Sequence, residues 1–156
     1  MNGYFDCGEL DLKSLKGCPK IVKGDFYCGN NQLTSLQYCP TWIEGNFNCY
    51  NNELTTLQYG PTNVGRGYDC SFNNLISLQG CCKEINSNFG CDYNQLTSLQ
   101  YGPVEVIGNY NCSNNKLSNL NHVARLITGH LICLNNNLTN DQLNISSKIQ
   151  GGIKFD

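Results

Sequence analysis

The stretch GDFYCGNNQLTSLQYCPTWIE, residues 24–44, is followed without a gap by GNFNCYNNELTTLQYGPTNVG, residues 45–65, and the two match in phase over their 21-residue length. Outward from this pair, Cys7, Cys28, Cys49, Cys70, Cys91, Cys112 and Cys133 stand 21 residues apart without a slip. The shared unit reads G-x-[FY]-x-C-x-x-N-x-L-[TS]-[ST]-L-x-x-x-P-x-x-[VI]-x. A fixed period in the twenties marks a solenoid, in which each repeat buries its apolar side only against its neighbours. The repeats run from Gly3 to about Ile149, and Gly151-Gly152-Ile153-Lys154-Phe155 reads as the first strand of an eighth. Residues 1–156 are therefore expected to form one solenoid domain.

Within each unit, Phe26-x-Cys28, Phe47-x-Cys49 and Tyr68-x-Cys70 alternate with period two, which predicts a strand whose aromatic and cysteine point inward. Three residues after each cysteine stands Asn31, Asn52, Asn73, Asn94, Asn115 or Asn136, with Leu10 in the first repeat. An inward amide there can satisfy backbone groups of its own coil and of its neighbour as the chain turns. The leucines five and eight residues after the cysteine, such as Leu54 and Leu57, re-enter the core.

The pattern [FY]-x-C-x-x-N-x-L is similar to the L-x-L-x-x-N-x-L core of leucine-rich repeats, and L-x-x-x-P after it resembles the short class of bacterial effectors, phages and giant viruses. That resemblance implies a right-handed coil with one parallel β-sheet and mostly extended or single-turn return segments. It also implies a viral or bacterial factor that binds a host or defence protein through its strand (concave) face.

Composition narrows the partner. The chain is 40% hydrophobic with a net charge of −2. No apolar run approaches the ~18 residues of a membrane span, so no membrane partner is expected. Met1-Asn2-Gly3-Tyr4 enters the first repeat without a signal-peptide pattern. The seven phased cysteines occupy one core position, where stacked strands lie ~4.8 Å apart and a disulfide would want Cβ atoms at roughly 3.8 Å. Reduced thiols, and with them a cytoplasmic setting (host cytoplasm for a viral factor), are the expectation. Cys18, Cys39, Cys81 and Cys82, near the proline position, are expected to be the reactive ones, and no metal or cofactor site is read.

The outward strand positions form the candidate site. Asp25, Tyr27, Asn48, Tyr50, Asp69, Phe72, Asp92 and Tyr93 give a mildly acidic, tyrosine-bearing surface without lysine or arginine. Such a composition suits recognition of a protein with a basic patch and excludes nucleic acid, which requires phosphate neutralisation. Polar outward residues are equally what any wet strand face carries. Two other classes compete. Ile153 and Phe155 offer an apolar terminal strand for self-association, expected as a homodimer through a solenoid end. The Thr34, Thr55, Thr97 and Thr139 column offers a water-ordering array, against a plain role in local hydrogen bonding. His122 and His130 have no nucleophile set beside them by any motif, so no enzyme is expected.

Overall fold

In the computed structural model, which describes residues 2–143 and 145–155, the chain is a parallel β-solenoid of about seven turns with nearly no helix. Two-residue strands alternate between the two sides of the coil. In chain order they are β1 (Phe5–Asp6), β2 (Ile21–Val22), β3 (Phe26–Tyr27), β4 (Trp42–Ile43), β5 (Phe47–Asn48), β6 (Asn63–Val64), β7 (Tyr68–Asp69) and β8 (Glu84–Ile85). They continue as β9 (Phe89–Gly90), β10 (Glu105–Val106), β11 (Tyr110–Asn111), β12 (Leu126–Ile127), β13 (Leu131–Ile132), β14 (Lys148–Ile149) and β15 (Ile153–Lys154). The odd-numbered strands form one eight-stranded parallel sheet, and β15 joins it as the eighth strand. Register advances by 21 residues per coil, as in Phe26 opposite Phe47, until Leu131 pairs with Ile153, 22 residues on. A short 3-10 segment, Asn140–Leu143, lies in that longer last coil.

The expectation of a single sheet is corrected on the return side. There the x-[VI] positions pair into a three-stranded sheet, β2-β4-β6, and a four-stranded sheet, β8-β10-β12-β14. The break falls at the coil in which Cys82 occupies the proline position, with its thiol donating to the Pro61 carbonyl at 3.1 Å.

The core is a set of ladders. Phe26, Cys28, Leu33, Leu36 and Ile43 are fully buried, and their counterparts in the coils above stay buried as far as Cys133, beyond which Leu138 and Ile149 are only partly so. Aromatic rings form a column from Phe5 through Phe26, Phe47, Tyr68 and Phe89 to Tyr110, with centroids 4.8–6.0 Å apart, stacked at first and edge-on or tilted from Phe47 upward. Across the coil from the two tyrosines stand Gly60 and Gly102, where the column otherwise holds Cys18, Cys39, Cys81 and Val123. A methyl on Gly60 would sit 3.4 Å from the Tyr68 hydroxyl, and one on Gly102 3.2 Å from that of Tyr110. Each larger ring is thus matched by a missing side chain. Both hydroxyls are buried without a hydrogen-bond partner, so Tyr68→Phe with Tyr110→Phe is expected to raise stability by about 1 kcal/mol per site. A lower denaturation midpoint for the double variant would contradict this.

The inward asparagines hold the coils together. Asn94 Nδ2 donates to Cys70 O at 3.1 Å, Cys91 O at 3.1 Å and Asp92 O at 3.2 Å, while its Oδ1 accepts from Leu75 N at 2.9 Å. Asn52, Asn73, Asn115 and Asn136 repeat the same four bonds. Where Leu10 replaces the first asparagine, Asn31 Oδ1 accepts from both Leu10 N and Leu12 N.

All eleven cysteines are free thiols. Burial pushes Cys28, Cys49, Cys70, Cys91 and Cys112 well above the ordinary thiol range, and Cys7 up to about 12. The expected reactivity of Cys39, Cys81 and Cys82 is corrected, because all three are buried beside a buried Pro40, Pro61 or Pro103, and burial raises Cys82 to about 11. Cys18 alone is half-exposed, and a hydrogen bond from Cys7 offsets part of its burial. Timed alkylation read by mass spectrometry should therefore modify Cys18 first. Cys81 or Cys82 keeping pace with it would refute the assignment.

Candidate protein-binding surface

The strand face carries its outward residues in columns along the solenoid, and many of them also serve the backbone. Asp6, Asn48, Asp69 and Asn111 each accept, through Oδ1, from the amide two residues on. Asp25 accepts from Asn46 N at 2.6 Å and from the Tyr27 hydroxyl at 2.8 Å, and the Asn46 amide above all holds its carboxyl below the usual range. Asn46, Asn88 and Asn109 cap the next coil in the same manner. Asp25, Asn48 and Asp69 therefore have structural work that their sequence positions do not disclose. The absence of cations is corrected at this corner, since Lys23 and Arg66 line a shallow cavity with Asp25, and at the far end, where Lys154 lies on β15.

Phe72 and Tyr93 are brought together. Their rings stack at 4.3 Å with an 11° interplanar angle, and the two residues are 47% and 49% exposed. Both adopt φ 53°, as do their column neighbours Glu9 (58°), Asn30 (53°), Asn51 (50°), Asn114 (53°) and Asn135 (52°). The repeat demands a left-handed residue two positions after the cysteine, a conformation that asparagine tolerates and bulky side chains resist. Two aromatics stand where the backbone prefers asparagine.

On the same face, Asp69 and Asp92 share a cavity of about 420 Å³ that Gly90 also lines. A side chain on Gly90 would meet the Asp69 carboxylate at 3.1 Å and that of Asp92 at 3.6 Å, so the missing side chain leaves both acids facing one space. Burial, then the Asp69 charge, raises the Asp92 carboxyl above its usual range. The folded state therefore holds that proton more tightly than the unfolded chain does, and the Asp92 contribution to stability is lost as pH rises through the raised value. Asp92→Asn should flatten this decline in the window that opens near the ordinary carboxylate value of about 4 and extends upward. Parallel melting curves for the variant and the parent across that window would contradict it.

Tyr27 and Tyr50 are half-buried at the other end of the face, apart from the Phe72–Tyr93 pair. Ile153 and Phe155 are half-buried and packed against the core, with β15 paired to β13. The threonines after the turn are exposed, and the adjacent Ser35, Thr56, Ser77 and Ser98 accept from the amide two residues on, which is the local hydrogen-bonding role. His130 is half-buried and His122 exposed.

Sequence reading misses one array. Tyr38, Tyr59, Tyr101 and His122 share a second left-handed column (φ 64–72°) with Gly17 and Gly80, and the three tyrosines are at least half exposed on the return side. Each sits third in a turn closed by bonds such as Cys39 N to Leu36 O. The signal is present: glycine, tyrosine and histidine alternate in one phase beside the proline, as a position with positive φ requires.

Coil geometry, ladder packing and side-chain columns define the class as a parallel β-solenoid with repeats of about 21 residues. No protein-family model and no curated protein matches the chain.

Proposed function

We propose that this solenoid is a non-enzymatic protein-binding module of leucine-rich-repeat type, coiled right-handed, that docks a partner's basic patch on its strand face. The observation that carries the reading is the Phe72–Tyr93 stack, two half-exposed rings held in a backbone conformation that disfavours them. The return-side tyrosines share the left-handed backbone, and what sets Phe72 and Tyr93 apart is that their rings stack into one flat aromatic surface. Asp69 and Asp92 supply charge on the same face, in a shared cavity with no lysine or arginine among its described lining residues. Phe72, Tyr93 and Tyr50 act as anchors, and the acids accelerate encounter. The resemblance to short bacterial and viral repeats extends the reading to a factor that engages a host or defence protein in a reducing cytoplasm.

The test is affinity capture from the native host with the parent and with a Tyr50→Ala, Phe72→Ala, Tyr93→Ala triple variant. A partner retained only by the parent, associating more slowly as salt rises, supports the reading. A partner held equally by both, or insensitive to salt, refutes it.

A further inference from the structure

The first three coils contain a second hollow on the strand face, of about 320 Å³, with Asp6 and Glu9 beside Tyr27 and Tyr50. Glycine makes it. The position after the ladder cysteine is Gly8 and Gly29 in the first two coils and Tyr50 in the third. A methyl on Gly29 would lie 2.5 Å from Cδ1 and 2.7 Å from Cε1 of Tyr50, so the Tyr50 ring edge rests directly on bare backbone.

Both tyrosine walls are fixed before any ligand arrives. The Tyr27 hydroxyl donates to Asp25 Oδ2 at 2.8 Å, and the Tyr50 hydroxyl accepts from Asn30 Nδ2. The acids are only half used. Asp6 accepts from Gly8 N through Oδ1, and Glu9 accepts from Asn30 Nδ2 through Oε1, which leaves one oxygen of each for a donor. Among the described residues, no lysine or arginine lines the hollow.

We propose that this hollow seats one arginine side chain of the protein partner, its guanidinium against the tyrosine rings and its donors on Asp6 and Glu9. The proposal rests on the strand-face reading and assigns a place and a chemistry within it. Preformed aromatic walls with two carboxylates favour a planar cation with several donors, because guanidinium can lie on a ring and reach two acceptors at once, whereas an ammonium is a strongly hydrated point charge. Prior fixing of the walls lowers the ordering cost of binding.

The test is an NMR titration of the ¹⁵N-labelled full chain with the blocked peptide acetyl-Gly-Arg-Gly-amide, against its citrulline and lysine counterparts. The expected result is a saturable shift centred on the amides of Gly8, Gly29 and Asn30, with the citrulline peptide weaker by about tenfold. Asp6→Asn with Glu9→Gln should weaken the arginine peptide about fivefold. Gly29→Ala, which displaces the Tyr50 ring without touching a charge, should weaken it as well. Equal response to arginine and citrulline overturns the proposal, and so does an equal response to lysine or a shift centred on Gly90. A silent titration alongside partner capture that still requires Phe72 and Tyr93 removes the arginine seat and leaves strand-face docking standing. Loss of capture dependence on Phe72 and Tyr93 with a positive titration keeps the arginine seat and removes the two rings as anchors.

Discussion

Asn94→Ala is expected to lower stability by about 2–3 kcal/mol, a large effect for a single polar substitution. The reason lies in the number of partners. One side chain satisfies Leu75 N and donates to three carbonyls, Cys70 O, Cys91 O and Asp92 O, at a residue only 7% exposed. Removing it leaves a buried amide with no acceptor, which costs the full desolvation of that group and exceeds the value of an ordinary hydrogen bond. Asn73→Ala should behave alike, because its four bonds are the same in kind. The proper control is Asn74→Ala, an exposed residue whose change should stay within about 0.5 kcal/mol. Asn48 is a poorer control, since it is half-buried and its Oδ1 holds Tyr50 N at 3.1 Å. Urea midpoints for the three variants check the ranking, and equal midpoints for Asn94→Ala and Asn74→Ala would refute it.

The second large effect has opposite signs in folding and binding. Phe72→Asn combined with Tyr93→Asn restores the residue that the left-handed position prefers, a gain of about 1 kcal/mol at each site. Loss of the stacked pair takes back about 1 kcal/mol. A net gain of about 1 kcal/mol remains, or roughly 2–4 °C in melting temperature for a chain of this size. Binding should fall about a hundredfold, because two anchors are lost together. Calorimetric melting and partner affinity on the same preparation check both halves. A variant that melts lower and binds as before would show that the two rings are held for stability rather than recognition.

Much of the coil is legible in the amino-acid sequence. Period two at Phe26-x-Cys28 sets the inward face, the 21-residue phase sets the register, and the asparagine column announces the turn that its side chains do hold. The return sheets are not legible, because each return strand sends only one residue inward, as at Ile43, and a single buried position shows no alternation. The structural duties of Asp25 are hidden for a different reason. Its bond reaches Asn46, one whole coil away, and exists only once the coils stack. The left-handed column on the strand face is masked by asparagine itself, whose presence at Asn30, Asn51, Asn114 and Asn135 looks like ordinary polarity until the backbone angle is known. Nearness to proline suggests exposure for Cys39 and Cys81, yet the return segment turns both inward. The anchor pair falls on the outward face as its phase requires, but its stacking and its strain come from geometry alone.

Site-specific photo-crosslinking distinguishes the strand face from the tyrosine-bearing return face as the recognition surface. A benzoylphenylalanine replaces Tyr93 on the strand side in one preparation and Tyr59 on the return side in another. Position 93 should capture a basic partner from the native host with a yield that falls as salt rises, and position 59 should capture nothing above background. Capture from position 59 with none from position 93 would contradict recognition by the strand face.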